Sequence, residues 1–279
     1  MICAVLLLVV GDPKCSLVLA RFKEPVNWVA PLLEAGVDVE VVNRGSLHDL
    51  DALRNGGNAL VRVDSENTSL VTWHGRAHND QGGELTVRTR FANVGRETFV
   101  FVQHMLEQIQ TRVRHDMTFY CQADPANRYG YSIAKLVDDV RLLCGGFVAR
   151  KNATTVNRQH VKVAQALKRT GFAYMCGTAL RPAMFGVSKA LAPVLSAAFA
   201  HAFGARNSDF EQLRFCPCSC FVVRSGMIEA AYAREPLTFE RLATTLAKGN
   251  SPDEIYMLER AWQRLIIGPD TYRRSWDFA

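Results

Sequence analysis

No stretch of this sequence is long and apolar enough to cross a lipid bilayer. The apolar run at 2–10 is nine residues long, whereas a transmembrane helix needs about 20. The run has the length of a signal-peptide core, but no basic region precedes it and no small-residue cleavage site follows it. We therefore treat residues 1–15 as a separate apolar segment. It is either a buried strand or the remnant of a signal or anchor, which would associate with a membrane.

Dense clusters of Lys and Arg are also lacking. The 33 basic and 27 acidic residues leave a net charge of +6, but the basic residues stand singly or in pairs. A surplus of this size suits an anionic ligand such as a nucleoside diphosphate, a membrane surface or a nucleic acid. Because no basic block and no aromatic-basic RNA motif occurs, we predict no nucleic-acid partner, and a nucleic-acid-binding protein is the weakest alternative.

The eight cysteines lack the paired C-x2-C spacing of a structural zinc site. Three of them form a C-x-C-x-C cluster at Cys216, Cys218 and Cys220. Buried thiols or a disulfide are therefore expected rather than a metal. Two glycosylation sequons, at Asn67 and Asn152, would matter only in a secreted protein. For the compartment we favour the secretory pathway (the ER or Golgi lumen), with the cytoplasm as the alternative.

Internal repeats, low-complexity segments and linkers are absent, so residues 16–279 are predicted to form a single domain. The apolar fraction of 48% is typical of a well-packed soluble protein. An apolar run at 16–22, helical spacing over 26–35 and a β-branched run at 37–42 predict a β-α-β unit. Such units build a mostly parallel sheet with helices on its faces, so the fold class is α/β.

The rest of the chain is predicted to be mostly helical. Residues 46–92, rich in Gly, Asn, Asp and His, indicate loops with short elements. Apolar residues spaced by three and four from Phe99 to Val113 predict an amphipathic helix beginning near Asn93, and 117–121 predicts a central strand. Further elements are helices at 132–144, 157–170, 187–203 (bent or broken at Pro193), 237–248 and 252–267, and one strand at 221–224.

Polar residues follow the predicted strands where an open α/β sheet binds its ligands, beyond the carboxyl ends. Arg21 and Glu24 follow the first strand, and Asn43 follows the second. A basic group there can face a phosphate, and Glu24 can accept hydrogen bonds from a ribose or a base. Solvated loops are the alternative, which the spacing alone favours.

The segment Asn93-Val94-Gly95-Arg96-Glu97 leads into the amphipathic helix. Asn93 can cap the helix, and Gly95 lets a ligand approach the backbone closely. Arg96 falls in the first turn, where free N–H groups and the helix dipole favour an anion that its guanidinium can hold through two hydrogen bonds. A simple helix cap, with Arg96 paired to Glu97, explains the segment equally well.

Two carboxylates are candidates for catalysis. Asp124, supported by Gln122, follows a strand and offers hard oxygen atoms to Mg²⁺ or Mn²⁺ bridging a diphosphate; a turn residue before Pro125 is the alternative. Glu259 falls inside the apolar stripe of the last predicted helix, where a carboxylate must be paired, protonated or facing a cavity. It could act as a general base, and a buried salt bridge to an arginine is the alternative.

The segments named above, in their order along the chain, resemble an uncharacterised domain family of fungi and algae with NVGRE and LERxW motifs. The segments that carry the resemblance are LVLARFKEPVNWV, VEVVNRG, FANVGRETFVFVQHML, MTFYCQADP, FVVRSGMI and YMLERAWQRLIIG. The N-x-G-R-[DE] element, followed by a helix and a strand that ends in an acid, is also similar to glycosyltransferases of the rhamnan-synthesis type. The resemblance covers residues 16–268.

This resemblance implies a GT-A fold, in which a Rossmann-like nucleotide-binding half and an acceptor-binding half form one domain. It implies a glycosyltransferase that moves a sugar from a UDP- or GDP-sugar to a hydroxyl group of a glycan, with Mn²⁺ or Mg²⁺ as cofactor. By position, Arg21, Glu24 and Asn43 would line the nucleotide pocket. The diphosphate-sugar would be held by Asn93, Gly95, Arg96 and Glu97, and the metal by Gln122 and Asp124. Glu259 would bind the acceptor or act as the base that takes its proton.

The sequence departs from the family at two places. Gln122 stands where a metal motif of the D-x-D type has its first acid, and Ser219 and Cys220 replace a small residue and a glutamine before the strand at 221–224. The loss of an acid favours an alternative hypothesis. In it the protein keeps the GT-A fold without catalysis and binds a glycan or a partner protein.

Overall fold

The computed structural model describes most of the chain in thirteen segments. They are residues 14–22, 24–43, 59–64, 68–74, 83–89, 96–111, 115–124, 132–145, 158–175, 181–204, 207–216, 220–249 and 253–269. The predicted apolar segment 1–15 lies outside them except for Lys14 and Cys15. Within the described segments, no helix combines the length and the apolar character that a membrane span requires.

A central sheet of eight strands organises the described part of the molecule, in the order β3-β4-β5-β2-β1-β6-β10-β7. Its strands are β1 (Cys15–Arg21), β2 (Asp38–Asn43), β3 (Ala59–Asp64), β4 (Thr68–His74), β5 (Glu84–Thr89), β6 (Met117–Gln122), β7 (Phe172–Tyr174) and β10 (Phe221–Arg224). All of these strands except β4 and β10 run in one direction. A two-stranded ribbon joins β8 (Arg181–Pro182) to β9 (Arg214–Phe215).

Helices cover both faces of this sheet. A 3-10 turn (Asn27–Val29) leads into α1 (Ala30–Glu34), and the chain continues through α2 (Arg96–Thr111), α3 (Ile133–Cys144), α4 (Arg158–Thr170), α5 (Ala192–Phe203), α6 (Asn207–Glu211), α7 (Ser225–Arg234), α8 (Pro236–Leu246) and α9 (Asp253–Ile267). The predicted α/β class, with a mixed and mostly parallel sheet flanked by helices, is therefore confirmed.

The strands at the centre of the sheet owe their place to their apolar composition. Every residue of β1 is buried; β2 and β6 flank it and α2 packs against it. A strand buried on both faces needs a continuous apolar run rather than an alternating one, which is the pattern of residues 17–20. On one face the rings of Phe101 from α2, Phe221 from β10 and Trp262 from α9 meet with centroids 5.0–5.9 Å apart.

Disulfides account for five of the cysteines that the structure describes. Cys15 on β1 is bonded to Cys144 at the end of α3, and Cys121 on β6 is bonded to Cys220 just before β10. Cys216 is also disulfide-bonded, and Cys218 lies outside the described residues. The expectation of a disulfide is confirmed. These bonds tie the carboxyl-terminal half of the chain to the central strands β1 and β6.

Several predicted boundaries need correction. The segment 46–92, predicted as loops with short elements, contains β3, β4 and β5. The predicted helix 187–203 begins only at Ala192, and Pro193 lies in the first turn of α5 rather than bending it. Proline is well tolerated there because the first N–H groups of a helix have no partner within the helix. The short strand β7 and the helix α7 were not predicted.

Candidate functional site

The polar residues predicted at the strand ends lie at one edge of the sheet. In the parallel pairing of β1 with β2, Arg21 lies opposite Asn43. In the pairing of β1 with β6, Ala20 lies opposite Gln122. The three strands therefore end level with one another, and their carboxyl ends bring these side chains to a common edge.

This edge contains a topological switch point of the sheet. From β1 the chain moves to β2 on one side, continues to β5 beyond it, and then returns to the other side of β1 as β6. At such a point the connections leave in opposite directions, which opens a crevice between the strand ends where α/β proteins bind their ligands. In this sheet that position falls between the ends of β1 and β6, where Glu24, Gln122 and Asp124 follow or end the strands.

The side chain of Arg21 is buried within this edge of the sheet rather than exposed on it. Its side chain is 1% exposed. Its Nη1 donates to Oδ1 of Asn43, and its Nε donates to the carbonyl oxygen of Glu24 at 2.7 Å. The Glu24 carboxylate in turn accepts a hydrogen bond from the backbone N–H of Phe22 at 2.7 Å. Arg21 therefore positions the loop after β1, and its direct contact with a ligand stays a prediction.

The end of β6 is held in place by two backbone contacts. The N–H of Ala123 donates to the carbonyl oxygen of Ala20 at 3.0 Å, and Nε1 of Trp28 donates to the carbonyl oxygen of Ala123 at 3.2 Å. Ala123 is buried, whereas Gln122 and Asp124 on either side of it are half-buried. The backbone of this strand end is thus fixed while its two polar side chains remain accessible.

The first turn of α2 lies toward the same edge. Nε2 of Gln108, late in the helix, donates to Oγ1 of Thr118 early in β6 at 3.2 Å, and Nδ1 of His104 lies 3.1 Å from the hydroxyl oxygen of Tyr120. The helix therefore runs opposite to β6, and its N-terminal residues Arg96 and Glu97 approach the carboxyl ends of the strands. The N–H groups of that turn have no acceptor within the helix and favour an anion.

Parts of the predicted NVGRE segment can be located and parts cannot. Asn93 and Gly95 lie outside the described residues, as does the side chain of Arg96. Glu97 is half-buried in the first turn of α2. Their proposed grip on a diphosphate-sugar stays a prediction.

A polar triad of buried His104 and Tyr120 with half-buried Glu40 was not found from the sequence. His104 lies between Tyr120 and Glu40, with its Nε2 at 3.7 Å from Oε2 of Glu40. Burial, and then the Glu40 carboxylate, raise the pKa of the Tyr120 hydroxyl well above its usual range. The Tyr120 hydroxyl therefore keeps its proton and can donate a hydrogen bond to Nδ1 of His104. The signals in the sequence were a glutamate alternating with valines in VDVEVV and a histidine inside an amphipathic helix.

Glu259 lies in a different environment from the strand-end residues. Its Oε2 is 3.4 Å from Nη1 of Arg260. The Nε of Arg260 donates to the carbonyl oxygen of Ala183 at 2.8 Å, and its guanidinium lies 4.7 Å from the ring centroid of Phe215. Glu259 is thus half-buried beside the β8–β9 ribbon and pairs with an arginine, as the structural alternative expected. Its action as a base stays a prediction.

A metal at this edge would have few protein ligands. In the described part of the chain, no group of three His, Cys, Asp or Glu side chains is arranged to hold a metal ion. Asp124 offers a carboxylate and Gln122 an amide oxygen, which suit Mg²⁺ or Mn²⁺ in chemistry but not in number. Such an ion would need phosphate oxygens and water to complete its coordination.

No protein-family model, curated protein or solved structure matches this chain. The assignment of a function therefore rests on the motifs of the sequence and on the geometry of the sheet edge.

Proposed function

We propose that the protein is a glycosyltransferase of the GT-A type, which transfers a sugar from a UDP- or GDP-sugar to a hydroxyl group of a glycan. The observation that carries the proposal is the switch point between β1 and β6. There Arg21 lies opposite Asn43, Gln122 lies opposite Ala20 and is followed two residues later by Asp124, and the first turn of α2 runs toward the same edge. This arrangement agrees with the order of the motifs in the sequence and with a nucleotide site of an α/β sheet.

In this proposal the donor lies across the crevice. The nucleoside contacts the loop after β1, near Glu24, and the diphosphate lies at the N-terminus of α2, where the helix dipole and Arg96 compensate its charge. A divalent cation held by Asp124 would neutralise further negative charge on the diphosphate. With Gln122 in place of an acid, Arg96 bears a larger share of that charge.

The chemistry is a substitution at the anomeric carbon of the sugar. A hydroxyl oxygen of the acceptor bonds to that carbon, the bond from the carbon to the diphosphate oxygen breaks, and Glu259 takes the hydroxyl proton as general base. The nucleoside diphosphate leaves with both electrons of the broken bond. Stabilising this leaving group supplies much of the catalysis.

The disulfides support the secretory pathway as the site of this reaction. Cys15–Cys144 and Cys121–Cys220 cross-link residues 129 and 99 positions apart. Protein disulfides persist in the ER lumen and beyond, and are rare in the reducing cytosol. Nucleotide-sugar transfer to glycans in the ER or Golgi lumen is consistent with such an environment.

Thermal melting with nucleotides tests the proposal. UDP or GDP with Mn²⁺ should raise the melting temperature, because a ligand at 100 times its dissociation constant stabilises the folded state by about 2.7 kcal/mol. Asp124→Ala should abolish the shift, whereas Asp138→Ala, which removes an exposed carboxylate on α3, should retain it. The absence of a shift with every nucleoside diphosphate contradicts the proposal.

A non-catalytic glycan- or protein-binding role is the second candidate, and Gln122 at the place of an acid favours it. This role predicts glycan or partner binding without sugar transfer. Such binding should survive the combined substitution Asp124→Ala and Glu259→Ala, since neither carboxylate would be needed for chemistry. Transfer of a sugar by the wild-type protein would exclude this candidate.

A further inference from the structure

The net positive charge of the protein arises from one continuous part of the chain. Residues 140–208 contain ten Lys and Arg residues and no Asp or Glu. The rest of the chain then holds 23 of the 33 basic residues and all 27 acidic residues, so the net charge of +6 arises entirely from residues 140–208. The basic residues are spread along the whole chain, so the uneven charge distribution comes from the absence of Asp and Glu in residues 140–208.

This acid-free stretch contains α4, β7, the strand β8 and α5, and part of it lies at one end of the sheet. β7 is the last strand in the order of the sheet, and α4 packs against β7. The basic residues whose side chains are described are all exposed, namely Arg141, Lys162, Lys168, Arg169, Arg181 and Lys189. The surface that residues 140–208 contribute, called the electropositive end below, therefore carries exposed cations and no carboxylate.

An exposed aromatic ring lies within this end. Phe185 is 49% exposed, and the guanidinium of Arg181 lies 5.1 Å from the centroid of its ring. A guanidinium placed over an aromatic face is attracted to it, so the two side chains hold each other at the surface. Together they place a half-exposed aromatic ring next to a positive charge at the surface.

A chain of contacts connects the Arg181–Phe185 pair to Glu259, the proposed catalytic base. The carbonyl oxygen of Ala183, between Arg181 and Phe185 in the chain, accepts a hydrogen bond from Nε of Arg260 at 2.8 Å. Arg260 in turn pairs with Glu259 at 3.4 Å. Arg181 and Phe185 therefore lie on the side of the molecule that carries Glu259.

We infer that the electropositive end binds an anionic glycan, a polymer whose sugars carry carboxylate or sulfate groups, and that this glycan is the acceptor. The inference rests on the proposed function, which supplies the role of Glu259. Spaced, exposed cations match the charge of a polyanion, and the ring of Phe185 provides an apolar face for a sugar ring. A bilayer fits less well, because the described exposed residues of α4 are polar, namely Lys162, Gln165, Lys168 and Arg169.

Calorimetric titration of the full chain with polygalacturonate, heparin and neutral dextran tests this inference. Binding to polygalacturonate identifies carboxylate groups as the ligand chemistry, and binding to heparin identifies sulfate groups. Dextran should not bind. Affinity should fall as NaCl rises from about 50 to 300 mM, because salt screens interactions between exposed charges.

Two substitutions with equal change in charge locate the site. Lys189→Glu lies inside the acid-free stretch and Lys248→Glu outside it, and both lysines are exposed. Loss of a single exposed ion pair weakens binding by up to about five-fold. Because Lys189→Glu also introduces a repulsive charge, it should weaken binding by at least that factor. Lys248→Glu should change binding less than two-fold. Arg181→Ala with Phe185→Ala should weaken it further. Unchanged melting temperatures confirm that each variant is folded.

The inference is overturned if neither polyanion binds, or if Lys189→Glu and Lys248→Glu weaken binding equally. It is also overturned if only phosphatidylserine vesicles or only oligonucleotides bind. The nucleotide-dependent melting shift is measured independently. If that shift appears without glycan binding, this inference alone fails. Glycan binding without any nucleotide effect would mean that the proposed glycosyltransferase activity fails.

Discussion

Arg21 carries a positive charge into the edge of the sheet, where it is 1% exposed. A buried charge is costly unless its N–H groups find acceptors. Asn43 supplies one acceptor across the strand pair and the carbonyl oxygen of Glu24 supplies another. Arg21, which the sequence predicts to bind the nucleotide, thus also positions the loop that would contact the nucleotide.

Asn43→Ala should destabilise the protein by about 1–3 kcal/mol, because it leaves a buried guanidinium N–H without its acceptor. The free energy of unfolding in urea measures this loss. Gln165→Ala, at an exposed position on α4, is the matched control and should change stability by less than about 0.5 kcal/mol. Equal stability of Asn43→Ala and wild type would show that the hydrogen bond is not needed.

Tyr120 should make the free energy of unfolding fall as the pH rises into the alkaline range. Because its pKa is raised by burial and by Glu40, the folded state keeps the proton that the unfolded state releases above about pH 10. Its contribution to stability is complete below that pH and is lost as the pH rises toward the folded pKa. Tyr120→Phe should flatten the decline in unfolding free energy above about pH 10, and Tyr256→Phe should not. An unchanged slope in Tyr120→Phe would contradict this account.

At the scale of elements, the disulfide between Cys121 and Cys220 fixes the end of β6 to the start of β10. It lies one residue before Gln122, so it also holds the strand end that carries the candidate site. Closing a loop of 99 residues restricts the unfolded chain, and loss of a native disulfide typically costs about 2–5 kcal/mol.

The double variant Cys121→Ala with Cys220→Ala should therefore lose about 2–5 kcal/mol of stability, measured by urea denaturation without reductant. Wild type and variant should differ less in reductant, where the wild type also lacks the bond. Equal stability of the two proteins under oxidising conditions would contradict a structural role for this disulfide.

The elements that the sequence predicted well are those with an unambiguous pattern. The buried run at 16–22 and the spaced apolar residues from Phe99 became β1 and α2 with small shifts at their ends. The strands β3 to β5 were missed because turn-forming residues surround them. The helix α7 was missed because it follows β10 without an intervening residue. Partners distant in sequence, such as His104 and Tyr120, depend on the sheet order and have no local signal.

For the candidate site, the sequence predicted which residues lie at the strand ends, and the sheet order explains why they meet. Arg21, Asn43 and Gln122 come level because three parallel strands end together. The burial of Arg21 was not predictable, since a strand end is exposed or buried according to the loops around it. The pairing of Glu259 with Arg260 was foreseen only as the structural alternative.

At the scale of the whole molecule, two regions of different chemistry share one fold. The switch point between β1 and β6 is the proposed nucleotide site, and residues 140–208, which include β7, account for the net positive charge of the chain. In the proposed function, the first region would hold the sugar donor and the second the acceptor. The disulfides tie the two regions together through β1 and β6.

A crystal structure of the protein soaked with a UDP- or GDP-sugar and Mn²⁺ tests the central claim most directly. We predict electron density for the nucleoside near the loop after β1, and for the diphosphate between Asp124 and the first turn of α2 at Arg96. Nucleotide density at any other place, or an empty crevice at saturating nucleotide, would contradict the claim that this edge of the sheet is a nucleotide-sugar site.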